Sequence, residues 1–133
     1  SVQREFYNRQ RFTLNITRAD TLRAGYSPNA RLFEAAACAT PIISDYWHGL
    51  DSFFTLGTEI LVANSSQDTL GYLRKMPEEE RCRIGERACR KVRSRHTVVH
   101  RVAELETFLR ESQNSAAFAT MFPLRQPVFR YAS

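Results

Sequence analysis

The apolar positions of the chain change period along its length. Over residues 11–17, "RFTLNIT", Phe12, Leu14 and Ile16 alternate with polar residues, the spacing of a strand. Residues 5–11 before it read as the end of a helix, and residues 18–26 after it as a loop with one glycine, Gly25. Ser27 reads as an N-cap and Pro28 as a first helical residue, so a helix is predicted to about residue 39, with Leu32, Phe33, Ala36 and Ala37 as its packing stripe. Its alanines would let it lie close to a sheet. "PIISD", residues 41–45, is a short β-branched strand that follows almost at once, as in a β-α-β unit. Residues 46–54 form a loop running into a short helix, and "EILVA", residues 59–63, a third strand. Ser65 and Asp68 have capping-box spacing for a helix to about residue 75. Pro77 opens the next helix, with Glu78, Glu79 and Glu80 in its positive first turn and Ile84, Ala88 and Val92 as an i, i+4, i+8 stripe. A last helix, residues 97–111, carries Val98, Val102, Leu105 and Leu109.

Strands alternating with helices predict an α/β fold with about three parallel strands flanked by helices and a helical C-terminal part. A doubly wound domain has five or six strands, so the expected architecture is a partial, Rossmann-like half-domain. Residues 1–112 form this domain and residues 113–133 a tail. The tail carries Phe118, Met121, Phe122, Phe129 and Tyr131, an apolar set suited to packing on another part of a longer protein or on another chain. An exposed sheet edge and this tail leave room for a homo-oligomer.

Composition narrows the classes. The chain has 133 residues, 43% hydrophobic and 25% charged, an ordinary globular balance for one domain. No apolar run reaches the roughly 18 residues of a membrane span, and the polar opening "SVQREFYNRQR" has no apolar core of a signal peptide. The chain opens on Ser1 rather than Met, as a processed or shortened chain would. Cys38, Cys82 and Cys89 are an odd count without paired spacing, read as partly buried thiols in a reducing, cytoplasmic compartment, with Cys38 a small core residue. His48, His96 and His100 lack zinc spacing, and no metal is expected. The net charge of +5 is concentrated between Arg81 and Arg101, where eight cations face one acid, Glu86. The favoured reading is a solvated helix face. The alternative is a non-catalytic α/β interaction module that binds an anionic partner through this basic helix. No aromatic residue interleaves with the charges, so a nucleic-acid stacking platform is not expected.

In open α/β sheets, ligands bind beyond the carboxyl ends of the strands. Residues 18–26, 45–49 and 63–66 fall there, and the helix opening at Pro28 points its amino end into the same crevice. Such an end offers free N–H groups and a partial positive charge, which suits a phosphate. Ser27 and Asn29 can add hydrogen bonds, Arg31 can pair with a phosphate through its fork, and Glu34, one turn on, can accept from two vicinal ribose hydroxyls. Arg31 and Glu34 can equally pair with each other at i, i+3. His48 before Gly49 is either a general base or a loop residue. Trp47 stacks on a ligand or caps the core. Arg18 and Asp20 contact a ligand or form a loop ion pair, and Asp45 closes the second strand.

The segments "NITRAD", "GYSPNARLFEAAACATPIISDYWHGLDSFF" and "EILVA" resemble the C-terminal region of GT-B glycosyltransferases, in particular the group related to the spore maturation protein CgeB, over roughly residues 6–109. "FEAAACATPIIS" is similar to that family's pattern of Glu-Ala, small residues, Gly-x-Pro and β-branched residues. The resemblance implies a nucleotide-diphospho-sugar as donor substrate, no further cofactor and no metal. It places Glu34 on the donor ribose and Ser27, Asn29 and Arg31 near the phosphates; Arg18 and Tyr26, from the loop after the first strand, complete the expected donor set, with Asp45, Trp47, His48 and Gly49 as possible loop contacts, and no catalytic residue is assigned. It also implies an N-terminal acceptor domain outside this chain, so the chain alone is expected to be inactive. Two positions depart from the pattern. Tyr26 stands where many retaining members carry a second glutamate, and Ala39 stands where they carry glycine. The resemblance therefore implies neither retention nor inversion.

Overall fold

The computed structural model describes residues 2–24 and 28–114. Three parallel strands form one sheet in the order β1-β2-β3: β1 (Thr13–Asn15), β2 (Ile42–Ser44) and β3 (Leu61–Val62). Thr13 pairs with Ile42 and Asn15 with Ser44, while Ile43 pairs with Leu61. The helices are α1 (Val2–Asn8), α2 (Ala19–Ala24), α3 (Ala30–Ala37), α4 (Leu50–Phe53), α5 (Ser66–Lys75), α6 (Glu78–Arg95) and α7 (Val98–Asn114). The α/β class, the parallel sheet and the helical C-terminal part are as the pattern predicts.

The chain divides into two compact units, residues 1–97 and residues 98–133. The second, as described, is the single helix α7, with ion pairs such as Arg101–Glu104 at 2.6 Å along its own surface. The expected apolar tail lies outside the described residues.

In the first unit α3 packs against α6 and against β1 and β2. One cluster joins Leu32, Ala35 and Ala36 of α3 to Ile42, Ile60, Phe54, Ala88 and Val92; a second joins Ile43 and Leu61 to Ile84, with Tyr72, Leu73 and Met76 against it. The predicted stripe of α6 is buried as expected. The Arg81 side chain ties the start of α6 to the sheet, donating to the Arg11 carbonyl at 2.9 Å and pairing with Glu78.

Several boundaries differ from the sequence expectation, each for a local reason. Residues 19–24, expected as loop, form the short helix α2, with Asp20 and Arg23 paired at 3.1 Å across one turn. α1 lies earlier than residues 5–11. The N-cap of α3 is Asn29, not Ser27: its backbone is extended and its side chain accepts from the Leu32 amide at 3.2 Å. α3 ends at Ala37, because Ala39 turns into the left-handed region (φ 56°) and lets the Thr40 amide reach back to the Ala35 carbonyl at 3.0 Å, with Ala39 N–H on Ala36, a Schellman turn. Ala37 is exposed and its place in the packing stripe falls to Ala35. β3 keeps only Leu61 and Val62 of the predicted 59–63; Ile60 makes an isolated bridge to Leu56. In β1 the buried parity is polar: Thr13 and Asn15 are inside, while Leu14 and Ile16 are 44% and 73% exposed. Cys38 is half-buried at the end of α3, and Cys82 is exposed rather than partly buried.

Candidate functional site

The carboxyl ends of β1 and β2 are joined by a chain of side-chain hydrogen bonds. Asn15 ends β1 fully buried; its Nδ2 donates to Ser44 Oγ, the end of β2, at 3.1 Å. Its Oδ1 accepts from Asn29 Nδ2 at 2.8 Å. The start of α3 is thereby pinned to the last residue of β1. A buried amide must satisfy both its donor and its acceptor, and here each has a partner. Ser44 Oγ in turn donates to the Asp45 carbonyl at 2.9 Å. The Asp45 carboxylate accepts from the Thr17 amide at 3.1 Å and from Thr17 Oγ1 at 3.0 Å, clipping together the loops that leave the two strands.

The structure brings some of the expected site residues together and separates others. Asn29, Arg31 and Glu34 share the first turns of α3, and Asp45 lies beside the same strand ends. Arg31 is exposed, and among the described residues no ion pair joins it to Glu34. Glu34 is half-buried, and its Oε2 accepts from the Tyr7 hydroxyl of α1 at 3.2 Å. Burial, then this hydrogen bond and the nearby carboxylate charge, push the Tyr7 phenol above its ordinary range, with Arg31 acting against the rise. Trp47 is buried beside Phe53, ring centres 6.1 Å apart, and its indole N–H has no partner among the described residues. Gly49 is left-handed (φ 96°) and caps α4; His48 before it and Arg18 after β1 are exposed. Tyr26 and Ser27 lie outside the described residues.

Tyr7, Asn15, Thr17 and Ser44 were not among the residues singled out by sequence. None of them carries a local signal: Asn15 and Thr17 fall on the polar parity of the β1 pattern, like Thr13. Part of the basic stretch of α6 is paired: on the helix itself Arg83 pairs with Glu79 at 2.6 Å and Arg87 with Glu80 at 3.3 Å, while Lys91 reaches Glu59, ahead of β3, at 3.8 Å. An open concavity of about 660 Å³ lies there, between Glu59 and the cations Arg87, Arg90, Lys91 and Arg93, and it includes none of the strand-end residues. Among the described residues no group of His, Cys, Asp and Glu converges to hold a metal ion, and no helix is long and apolar enough to cross a membrane.

A three-stranded parallel sheet with a helix amino end pinned at its carboxyl edge defines a Rossmann-like α/β domain. A family described as glycosyl transferase-like matches residues 3–107, which takes in β1 to β3, α2 to α6, all but the first residue of α1 and the first part of α7. The chain belongs to this glycosyl transferase-like family. No curated protein and no solved structure matches it significantly.

Proposed function

We propose that the chain is the donor-binding region of a GT-B glycosyltransferase, of the group related to CgeB, which moves a sugar from a nucleotide diphosphate to an acceptor held by a further domain. The observation that carries this reading is the Asn29–Asn15 bond, which fixes the amino end of α3 at the carboxyl edge of the sheet. That end would take the diphosphate through its free amides, with Arg31, exposed on the first turn, pairing with a phosphate oxygen. Glu34 would accept from the ribose hydroxyls. In transfer the bond from the anomeric carbon to the phosphate oxygen breaks and one to the acceptor oxygen forms. Positive charge develops on the sugar and negative charge on the leaving diphosphate. A pre-oriented helix end and a guanidinium stabilise that leaving group without a metal ion. Catalytic groups would come partly from the acceptor side, so this chain by itself transfers no sugar.

The test is a titration of the chain with UDP, GDP and ADP followed by NMR. Shifts should cluster at residues 27–34, at Arg18 and in the loop after Asp45. Glu34→Ala should weaken the preferred nucleotide by roughly tenfold, as loss of hydrogen bonds to a charged acceptor does. Affinity within twofold of the parent would remove Glu34 from the site, and sugar transfer by the chain alone would contradict the division of labour.

A further inference from the structure

Tyr7 belongs to a different element from every residue assigned to the donor, yet it makes the one hydrogen bond that the Glu34 carboxylate receives among the described residues. We infer that Tyr7 is a positioning residue for ribose recognition: its hydroxyl holds Glu34 Oε2, leaving Oε1 for the vicinal hydroxyls of a ribonucleotide. This rests on the reading of Glu34 as the ribose contact.

Three observations support it. Tyr7 is itself fixed. The residue is 7% exposed, its ring lies edge-on to Phe6 at 5.3 Å, and its carbonyl accepts from the buried Thr40 hydroxyl at 2.9 Å. Thr40 sits on the turn that ends α3, so the phenol is referenced to the helix that carries Glu34. A glutamate has three side-chain torsions, and one fixed donor removes much of that freedom before a ligand arrives. Finally, the donor is neutral. An arginine in its place would satisfy both carboxylate oxygens at once, whereas a phenol takes one and leaves the charge and the other oxygen for a diol. A phenol keeps its proton at neutral pH in any case, and burial beside the Glu34 carboxylate pushes its titration further up.

The experiment compares ribo- and 2′-deoxyribonucleotide affinities (UDP, GDP and ADP against their deoxy forms) for the chain, Tyr7→Phe and Glu34→Ala. Tyr7→Phe keeps the ring in the core and removes only the hydroxyl. The parent should favour the ribose form by roughly tenfold and Glu34→Ala should abolish the preference. Tyr7→Phe should weaken the ribose form by roughly fivefold and leave the deoxy form unchanged. If Tyr7→Phe keeps the full preference while Glu34→Ala loses it, Tyr7 is a packing residue only and the inference fails. If Glu34→Ala also keeps it, or the folded parent binds none of the nucleotides, the donor-site reading fails first. A second measurement needs no ligand. With ring-labelled tyrosine, Glu34→Gln should lower the titration of the Tyr7 phenol, and an unmoved titration overturns the hydrogen bond.

Discussion

At Gly85, α6 passes close against the turn after α3, and Gly85→Ala tests whether that closeness is needed. A Cβ built on Gly85 would lie 2.1 Å from the Ala39 carbonyl oxygen, 2.9 Å from its carbonyl carbon and 3.2 Å from Pro41 Cδ. Ordinary contact lies more than roughly 1 Å further out, so α6 must retreat by about that much or the turn must move. Neither yields easily. The obstructing atoms are backbone, and Ala39 is already held left-handed by the Schellman bonds. Retreat would open the seam where Ala88 and Val92 meet Leu32, Ala35 and Ala36. Overpacking against backbone costs about 3 kcal/mol. That is a large share of the 5–15 kcal/mol typical of a domain. Urea unfolding reports it through the fluorescence of Trp47, the single tryptophan, buried in that same cluster. A midpoint shift worth less than about 1 kcal/mol would mean that α3 and α6 slide freely, and the packing argument would fall.

Three further outcomes follow from the same geometry. Ala39→Gly should stabilise the chain by about 0.5–1 kcal/mol, because relief of the left-handed strain exceeds the extra flexibility of the unfolded chain; an unchanged urea midpoint would refute this. Asn29→Ala removes the cap of α3 and strands the buried Asn15 Oδ1, and should cost about 2–3 kcal/mol, read by thermal or urea unfolding; Asn29→Asp, which keeps the cap but not the amide donor, should recover only part. The Tyr7 phenol is raised by burial and by its bond to Glu34, so the folded state holds that proton more tightly than the unfolded one. Its contribution is complete below the ordinary phenol value near 10 and is lost as pH rises through the raised folded value. Unfolding between about pH 9 and 12 should therefore show a fall in stability that is shallower in Tyr7→Phe.

The fold class and the helices from α3 onward are legible in the sequence because their signals are local, whereas α2 is not. The Ser65 cap is an example: its hydroxyl accepts from the Asp68 amide at 3.1 Å, while the Asp68 carboxylate accepts from the Asn64 amide at 3.0 Å. Ile84, Ala88 and Val92 were equally readable, since a period of four decides which face is buried. What failed was parity in β1. Phe12, Leu14 and Ile16 promise an apolar inner face, yet Asn15 is the residue sealed inside, because partners distant in sequence, Ser44 and Asn29, satisfy its amide. No local rule carries that information. Tyr7 escaped for the same reason: its role depends on a hydrogen bond to Glu34 across 27 residues. Ser27 reads as the cap because Ser-Pro is a generic helix opening, whereas Asn29 offers both a cap and a donor to the strand.

α3 is the part of the site on which these separate bonds converge. Its start is held to β1 through Asn29, its middle to α1 through Glu34 and Tyr7, and its end to α6 through the turn at Ala39. From Asn29 to Glu34 is five residues, about 7.5 Å of helix axis. If the start of the helix takes a diphosphate and Glu34 a ribose, then one rigid rod sets the spacing between the two contacts. Loops could be adjusted separately; a helix fixed at three points cannot. A ligand whose phosphate and ribose match that spacing meets both groups without ordering either, which is where a preorganised site gains affinity. The same rigidity explains why the neighbouring polar groups at the strand ends are occupied with one another. Asn15 bonds Ser44 and Thr17 bonds Asp45 at the strand ends, so on the proposed reading the exposed Arg31 and the second oxygen of Glu34 are the groups that would meet the ligand.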